Sequence, residues 1–315
     1  MTELKTFRIT NQRGLEVDLL NFGARLIGLR YQGVDVVLGY DTIEQYLTDT
    51  FSVGATVGRY ANRIGLGHLE IDGNTYGLNI NEGLHHLHGG SAGLSHLCWT
   101  GEQLDDRTVV FSHHSPHGHM GYPGNVEIQI LYRLEKEDRL LIDMRGVSDR
   151  KTILNLTHHS YFNLHGVNKA GDASAASHEQ VLMINAKERL EVDADGIPTG
   201  SWVSVEKTPF DFREEKPINS APNCDHNYCL DTQGALSFAA ELSSKKSGLK
   251  MSVWTTLPGL QFYGGHYLKA PFKACSGICL EPQFFPDSPN HEAFNTPWVS
   301  PEHPYHEVIE FRFSA

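Results

Sequence analysis

Apolar residues recur at every second position along much of this chain, and that period admits strands and little else. Leu15, Val17 and Leu19 alternate with Glu16 and Asp18. Val126, Ile128, Ile130 and Tyr132 alternate with Glu127, Gln129, Leu131 and Arg133, and Ile309, Phe311 and Phe313 alternate with Glu310 and Arg312. Successive side chains on a strand point to opposite faces, so these runs read as half-buried strands. Turn clusters separate them, among them Gly33-Val34-Asp35, Ile71-Asp72-Gly73-Asn74 and Tyr122-Pro123-Gly124-Asn125, rich in residues that reverse a backbone readily. No stretch carries a 3.6-residue apolar stripe over a helix's length. Only Thr42 to Tyr46 reads as a short helical turn, and small, polar Lys169 to Ser177 reads as a loop. The fold class expected is all-β, with about twenty short strands in two large antiparallel sheets packed face to face as a large β-sandwich.

At 315 residues the chain has length for two average domains or one large β domain. The 169–177 loop is too short to divide it, and strand signals continue on both sides, so a single domain over 1–315 is expected. A hydrophobic content of 40% supplies a substantial core. Acids outnumber bases 38 to 26, for a net charge of −12, and no dense Lys/Arg block occurs; binding to nucleic acid or to an anionic membrane surface is therefore not expected. The start, Met1-Thr2-Glu3-Leu4-Lys5, lacks the charged and apolar regions of a signal peptide, and no apolar run reaches the length of a membrane span. Five cysteines (Cys98, Cys224, Cys229, Cys275 and Cys279) form no C-x-x-C pair. They read as reduced thiols in a cytoplasmic protein, several packed as small hydrophobes. The spacing of Cys224, Cys229, Cys275 and Cys279 does not fit the usual zinc pattern.

One segment departs from the apolar pattern in a way that points to chemistry. Asn155-Leu156-Thr157-His158-His159-Ser160-Tyr161-Phe162-Asn163-Leu164 places two histidines, asparagines and hydroxyls in a strand that otherwise reads as buried. A carboxylate interrupts a second apolar run at Glu281, in Gly277-Ile278-Cys279-Leu280-Glu281-Pro282-Gln283. A histidine acid facing a glutamate base suffices to open and reclose a sugar ring. Other polar residues stand out by setting. Arg63 follows Asn62 in a glycine-containing run, His88 precedes Gly89-Gly90, Asp225 opens Asp-His-Asn-Tyr, and Gln261 lies between Leu260 and Phe262. The guanidinium offers five donors to hydroxyls, and a buried amide requires partners.

Taken in order, Gly58-Arg59-Tyr60-Ala61-Asn62-Arg63-Ile64, Leu87-His88-Gly89-Gly90, Gly121-Tyr122-Pro123-Gly124, Asn155 to Leu164, Ile197-Pro198-Thr199-Gly200, Asp225-His226-Asn227-Tyr228-Cys229-Leu230, Gln261-Phe262-Tyr263 and Cys279-Leu280-Glu281 resemble the aldose 1-epimerase family, which includes galactose mutarotase. The resemblance implies a β-supersandwich of the galactose mutarotase-like type. It implies an isomerase that interconverts the anomers of free aldohexoses such as galactose and glucose without metal or cofactor. His159 aligns with the family's acid and Glu281 with its base, and Arg63 and His88 with residues that bind sugar. Asn62, Ser160, Tyr161, Asp225 and Gln261 complete the expected substrate-binding set, although Ser160 and Tyr161, as strand neighbours, face opposite ways. His85, His158 and His266 stand where members more commonly carry Asn.

At pH 7 the acid role requires a charged His159, whose ordinary value is near 6.5. Asp225 and Glu281 are expected to hold that charge, placing two carboxylates around one imidazolium. Two other classes compete with the isomerase. A retaining glycosidase on Glu281 and Asp225 needs carboxyls about 5–5.5 Å apart and leaves His159 without a task. A non-catalytic sugar-binding protein does not need the His159–Glu281 pair. A phosphosugar substrate calls for a basic cluster that these motifs lack. His113-His114-Ser115-Pro116-His117-Gly118-His119 looks like a metal loop, but Pro116 and Gly118 mark an exposed turn, and any metal there is expected to be incidental. Monomer and homodimer both remain open.

Overall fold

The protein is described by a computed structural model that covers residues 3–168, 172–173, 177–220, 223–232 and 234–315. Strands dominate, and no α-helix occurs among the described residues. The one helical expectation resolves as a 3₁₀ helix over Ile43–Thr48, entered from Thr42, whose backbone N–H donates to the Gln45 side chain. Most of the expected 169–177 loop lies outside the described residues. Of its described residues, Asp172–Ala173 pairs with Val167–Asn168 and Ser177 opens a 3₁₀ helix over Ser177–Glu179.

The expected alternation is realised strand by strand. Val126–Leu134 buries Val126, Ile128, Ile130, Tyr132 and Leu134 and turns Glu127, Gln129 and Arg133 outward. Leu15–Leu20 buries Leu15, Val17 and Leu19 in the same way. Tight hairpins use the residues that tolerate positive φ. Asp72 and Gly73, at φ 51° and 77°, join His68–Ile71 to Asn74–Gly77, as two-residue turns of this hand require.

Two sheets carry the architecture. A nine-stranded antiparallel sheet runs in the order 100–105, 108–115, 126–134, 139–148, 305–314, 250–255, 237–243, 181–184, 216–217. A six-stranded sheet runs 161–162, 278–283, 259–263, 225–229, 188–192, 198–204. Side chains of both meet in one core. Phe111, Ile130, Ile142, Val253 and Ile309 come from the larger sheet, and Tyr228, Leu260, Phe262 and Leu280 from the smaller. A four-stranded sheet over residues 6–35 adds Ile9, Leu15, Val17 and Leu19 to the same cluster.

The six-stranded sheet is apolar on the core side only. Because Tyr228, Leu260, Phe262 and Leu280 point inward, the pleat sends Asp225, Asn227, Gln261, Tyr263, Cys279, Glu281 and Gln283 to the opposite face. Register then aligns them. Asn227 lies opposite Gln261 and Gln261 opposite Glu281, while Asp225 lies opposite Tyr263 and Tyr263 opposite Cys279.

Candidate active site

Glu281 thus sits in the middle of a polar sheet face, and His159 reaches it from a separate short strand. Thr157–His159 pairs with Ala55–Val57. It is held beside the 278–283 strand by the Thr157 hydroxyl, which donates to the Pro282 carbonyl at 2.7 Å. Asn155 fixes the approach: its Oδ1 accepts from the Phe284 N–H at 2.9 Å and its Nδ2 donates to the Ala61 and Phe284 carbonyls. The result brings His159 Nε2 to 3.7 Å from Glu281 Oε1. Both side chains are nearly dry, with residue exposures of 5% and 2%. Glu281 Oε2 has no hydrogen-bond partner among the described residues.

Alternation separates the two adjacent histidines. His159 turns to the polar side, whereas His158 turns into the core against the Tyr132 ring, 5.8 Å between centroids. It also separates Ser160 from Tyr161. Tyr161 lines the cavity over the His159–Glu281 pair, but Ser160 is buried, has no partner for its hydroxyl among the described residues, and is not among the lining residues. The expectation that Ser160 touches substrate is corrected by the pleat.

The cavity at the pair has a volume of about 230 Å³ and is lined by Asn62, Arg63, His88, His159, Tyr161, Asp225, Gln261 and Glu281, with Glu82, Tyr263 and Tyr267. Eight of the nine expected site residues therefore converge. Arg63 is aimed by Glu82, which accepts from its Nη2 at 2.8 Å and its Nε at 3.1 Å. Gln261 Nε2 donates to Asp225 Oδ1 at 2.6 Å, leaving Gln261 Oε1 unpartnered among the described residues. His88 Nδ1 accepts from the Asn62 N–H at 3.2 Å, so its other nitrogen is left for a ligand. The His88 ring stands edge-on to His159, 5.4 Å between centroids.

Sequence reasoning missed Glu82, whose setting between Asn81 and Gly83 gives no signal. It also passed over Tyr263, although that residue shares a strand face with Gln261. A larger outer compartment of about 820 Å³ adjoins, sharing Asn62, Arg63, Glu82, Asp225 and Gln261 and reaching His85 and His266. Two of the three histidines that replace the more usual Asn therefore border the approach to the site, and the third lies in the core.

Electrostatics overturn one expectation. Burial pushes His159 down to about 4, against the opposing pull of the Asp49 and Asp225 carboxylates, and Arg25 adds to the lowering. Burial likewise raises Glu281 well above the usual carboxylate range, and Asp225 raises it further. The carboxylates do not hold an imidazolium: near neutral pH the His159 imidazole is uncharged, and burial disfavours the charged form of Glu281 as well. Desolvation outweighs charge because the site is closed to water on nearly every side. His88 is also kept neutral, first by burial and then by His159 and Arg63.

A chain with this geometry matches known proteins over nearly its whole length. A sequence model of the aldose 1-epimerase family fits residues 5–312. The chain belongs to the aldose 1-epimerase family. It is 37% identical to the galactose mutarotase of Bos taurus, over 96% of this chain and 92% of the relative. It is 34% identical to the aldose 1-epimerase of Escherichia coli strain K12, over 98% and 94%. Among solved structures it superposes on an aldose epimerase homologue from C. elegans with a TM-score of 0.91, at 32% identity and 99% coverage of both chains. It superposes on a galactose 1-epimerase from Lactobacillus acidophilus NCFM with a TM-score of 0.86, at 27% identity over 100% and 99%. The aldose 1-epimerase fold is thus this chain's fold, and its class of activity is isomerase. No helix among the described residues is long and apolar enough to cross a membrane.

Proposed function

We propose that this aldose 1-epimerase interconverts the α and β anomers of free aldohexoses such as galactose and glucose, with His159 and Glu281 exchanging protons with the sugar. The observation that carries this reading is the approach of His159 Nε2 to Glu281 Oε1 at 3.7 Å inside a polar cavity of about 230 Å³. Asn62, Arg63, His88, Tyr161, Asp225 and Gln261 surround the ring and grip its hydroxyls. The cavity's acidic side chains outnumber Arg63, which favours a neutral sugar over a phosphorylated one. We also read the chain as a single catalytic domain, supported by the family match across residues 5–312. Its five free thiols accord with the cytoplasm. Monomer and homodimer are both compatible with a pocket built from one chain.

In ring opening, the Glu281 carboxylate takes the O1 proton, the His159 imidazolium gives its proton to O5, and the C1–O5 bond breaks to an aldehyde. Rotation about C1–C2 followed by the reverse transfers yields the other anomer. Opening therefore converts carboxylate and imidazolium into carboxylic acid and imidazole. That is the protonation state which burial favours at this site. No net proton enters or leaves.

Each well-placed acid or base contributes roughly 10²–10⁴ in rate. Glu281→Gln and His159→Ala should each slow anomerisation at least ~100-fold, measured by polarimetry on freshly dissolved α-galactose and α-glucose. The double variant should lose much less than the product of the two effects, since the residues act as one unit. Near-wild-type rates in either single variant would remove the assignment.

A further inference from the structure

Cys279 shares a strand face with the proposed base Glu281, lies against the proposed acid His159, and has no part in their chemistry. We propose that His159, Cys279 and Glu281 form a binding site for a thiophilic divalent cation of the Zn²⁺ class, and that its occupation shuts the catalytic pair. The inhibitory half of this rests on the roles assigned above to His159 and Glu281; the binding half does not.

Cys279 and Glu281, two residues apart on one strand, share a face, and His159 lies against both. One imidazole nitrogen, the thiol sulfur and a carboxylate oxygen lie within 4.8 Å of one another. Cys279 Sγ stands 3.5 Å from His159 Nδ1. A zinc ion with ordinary Zn–S and Zn–N bonds holds such a pair about 3.6 Å apart at a tetrahedral angle. Thiolate, imidazole and carboxylate together suit zinc and its softer neighbours, not Mg²⁺ or Ca²⁺, which require oxygen ligands. The cavity beside Glu281 offers the fourth position to water.

Charge balance favours the same ion. Burial keeps the proton on Cys279, raising the thiol well above its usual range with Glu281 and Asp225 adding to the effect. Glu281 is raised as well. M²⁺ binding displaces the proton of the Cys279 thiol, and the carboxylate and thiolate charges then face the cation. Affinity therefore climbs with pH.

Other donors do not gather this way among the described residues. In the histidine-rich loop, His114 is taken by Glu127, His119 by Ser115 and the Ala92 carbonyl, and His117 by the Gly124 N–H. Cys279 lies with His159 and Glu281, not with Cys224, Cys229 and Cys275.

The test uses chelator-stripped full-length protein titrated calorimetrically with Zn²⁺ in two buffers of different ionisation enthalpy, and with Co²⁺ as a spectroscopic probe. Expected are one saturable ion per chain, release of the thiol proton, and a near-ultraviolet thiolate-to-cobalt charge-transfer band. Cys279→Ser should abolish the band and weaken zinc at least ~10-fold, while Cys224→Ser should retain both. An aldose that the same sample turns over should displace the cobalt. Epimerase activity should fall at least ~10-fold at saturating zinc and return on chelation. Absence of stoichiometric binding overturns the proposal, as does a band that survives Cys279→Ser. Should that variant not fold, proton release near zero in the wild type overturns it instead. Zinc binding in a protein without epimerase activity would leave the site standing and remove the function; full activity with zinc bound would do the reverse for the inhibition.

Discussion

His158 and His159 are chemically identical neighbours, and one bond's change of direction gives them unrelated tasks. Both are neutral because both are dry, with His158 lowered to about 3 and His159 to about 4. For His159 this has a kinetic consequence. Near neutral pH His159 is uncharged, and the reaction needs one proton on the pair. On the acid side, activity is lost only when His159 acquires a second. On the alkaline side it is lost when Glu281 gives up the only one, and that value is raised. The profile of kcat/KM, which reports the free enzyme, should therefore stay flat from pH 7 down to about 5 and fall near 4. An ordinary imidazole would halve it near 6.5. Polarimetry across that range in a constant-ionic-strength buffer distinguishes them, and a midpoint near 6.5 would contradict the neutral resting imidazole. The sequence could name the partners of His159 but not its exposure, and so led to a charged imidazolium. Neighbouring charges are visible in a string of residues; desolvation is a property of the packed site.

At the scale of elements, strand alternation was legible almost everywhere, because a period of two survives in any half-buried strand. It assigned Val126–Leu134 and Leu15–Leu20 their inner faces, and it already warned that Ser160 and Tyr161 could not both face the sugar. What it could not supply was which strands lie side by side. The Gln261–Glu281 and Asp225–Tyr263 registers join segments far apart in sequence, and nothing local specifies such pairings. Glu82 was invisible for the same reason: its meaning comes from Arg63 across a loop. That loop turns on Gly89, at φ 86°, where a Cβ would stand 1.8 Å from the Gly58 carbonyl oxygen. The close approach fixes His88 over the cavity, and backbone cannot yield as a flexible side chain would. Gly89→Ala should cost at least ~2 kcal/mol of stability from strain and clash. It should also raise KM more than it lowers kcat, since the role proposed for His88 is to bind the sugar and not to transfer protons. Urea unfolding with steady-state kinetics checks both; a neutral substitution would mean that the loop is not held as described.

For the whole molecule, packing two sheets into one core while carrying polar groups on the connecting segments traps histidines where water cannot reach. His158 is the extreme case. It stands between Tyr132 and the active-site strand with both nitrogens unpartnered among the described residues. His86, fully buried and lowered to about 4 chiefly by burial, extends the pattern. A histidine of depressed folded pKa costs nothing above its unfolded value near 6.5. Below that the unfolded chain binds protons that the native state refuses, and stability falls by up to about 1.4 kcal/mol per pH unit for each such group. For His158, with a folded value of about 3, the loss begins near pH 6.5 and runs on to about pH 3. Asn at this position keeps a polar side chain and removes the titration. His158→Asn should therefore gain roughly 2–3 kcal/mol relative to wild type between pH 7 and pH 4.5, whatever its offset at pH 7. The catalytic rate at pH 7 should change little, since the ring faces away from the cavity. Urea denaturation of both proteins at the two pH values measures the difference directly, and parallel losses in the two would mean that His158 is not the neutral core residue described.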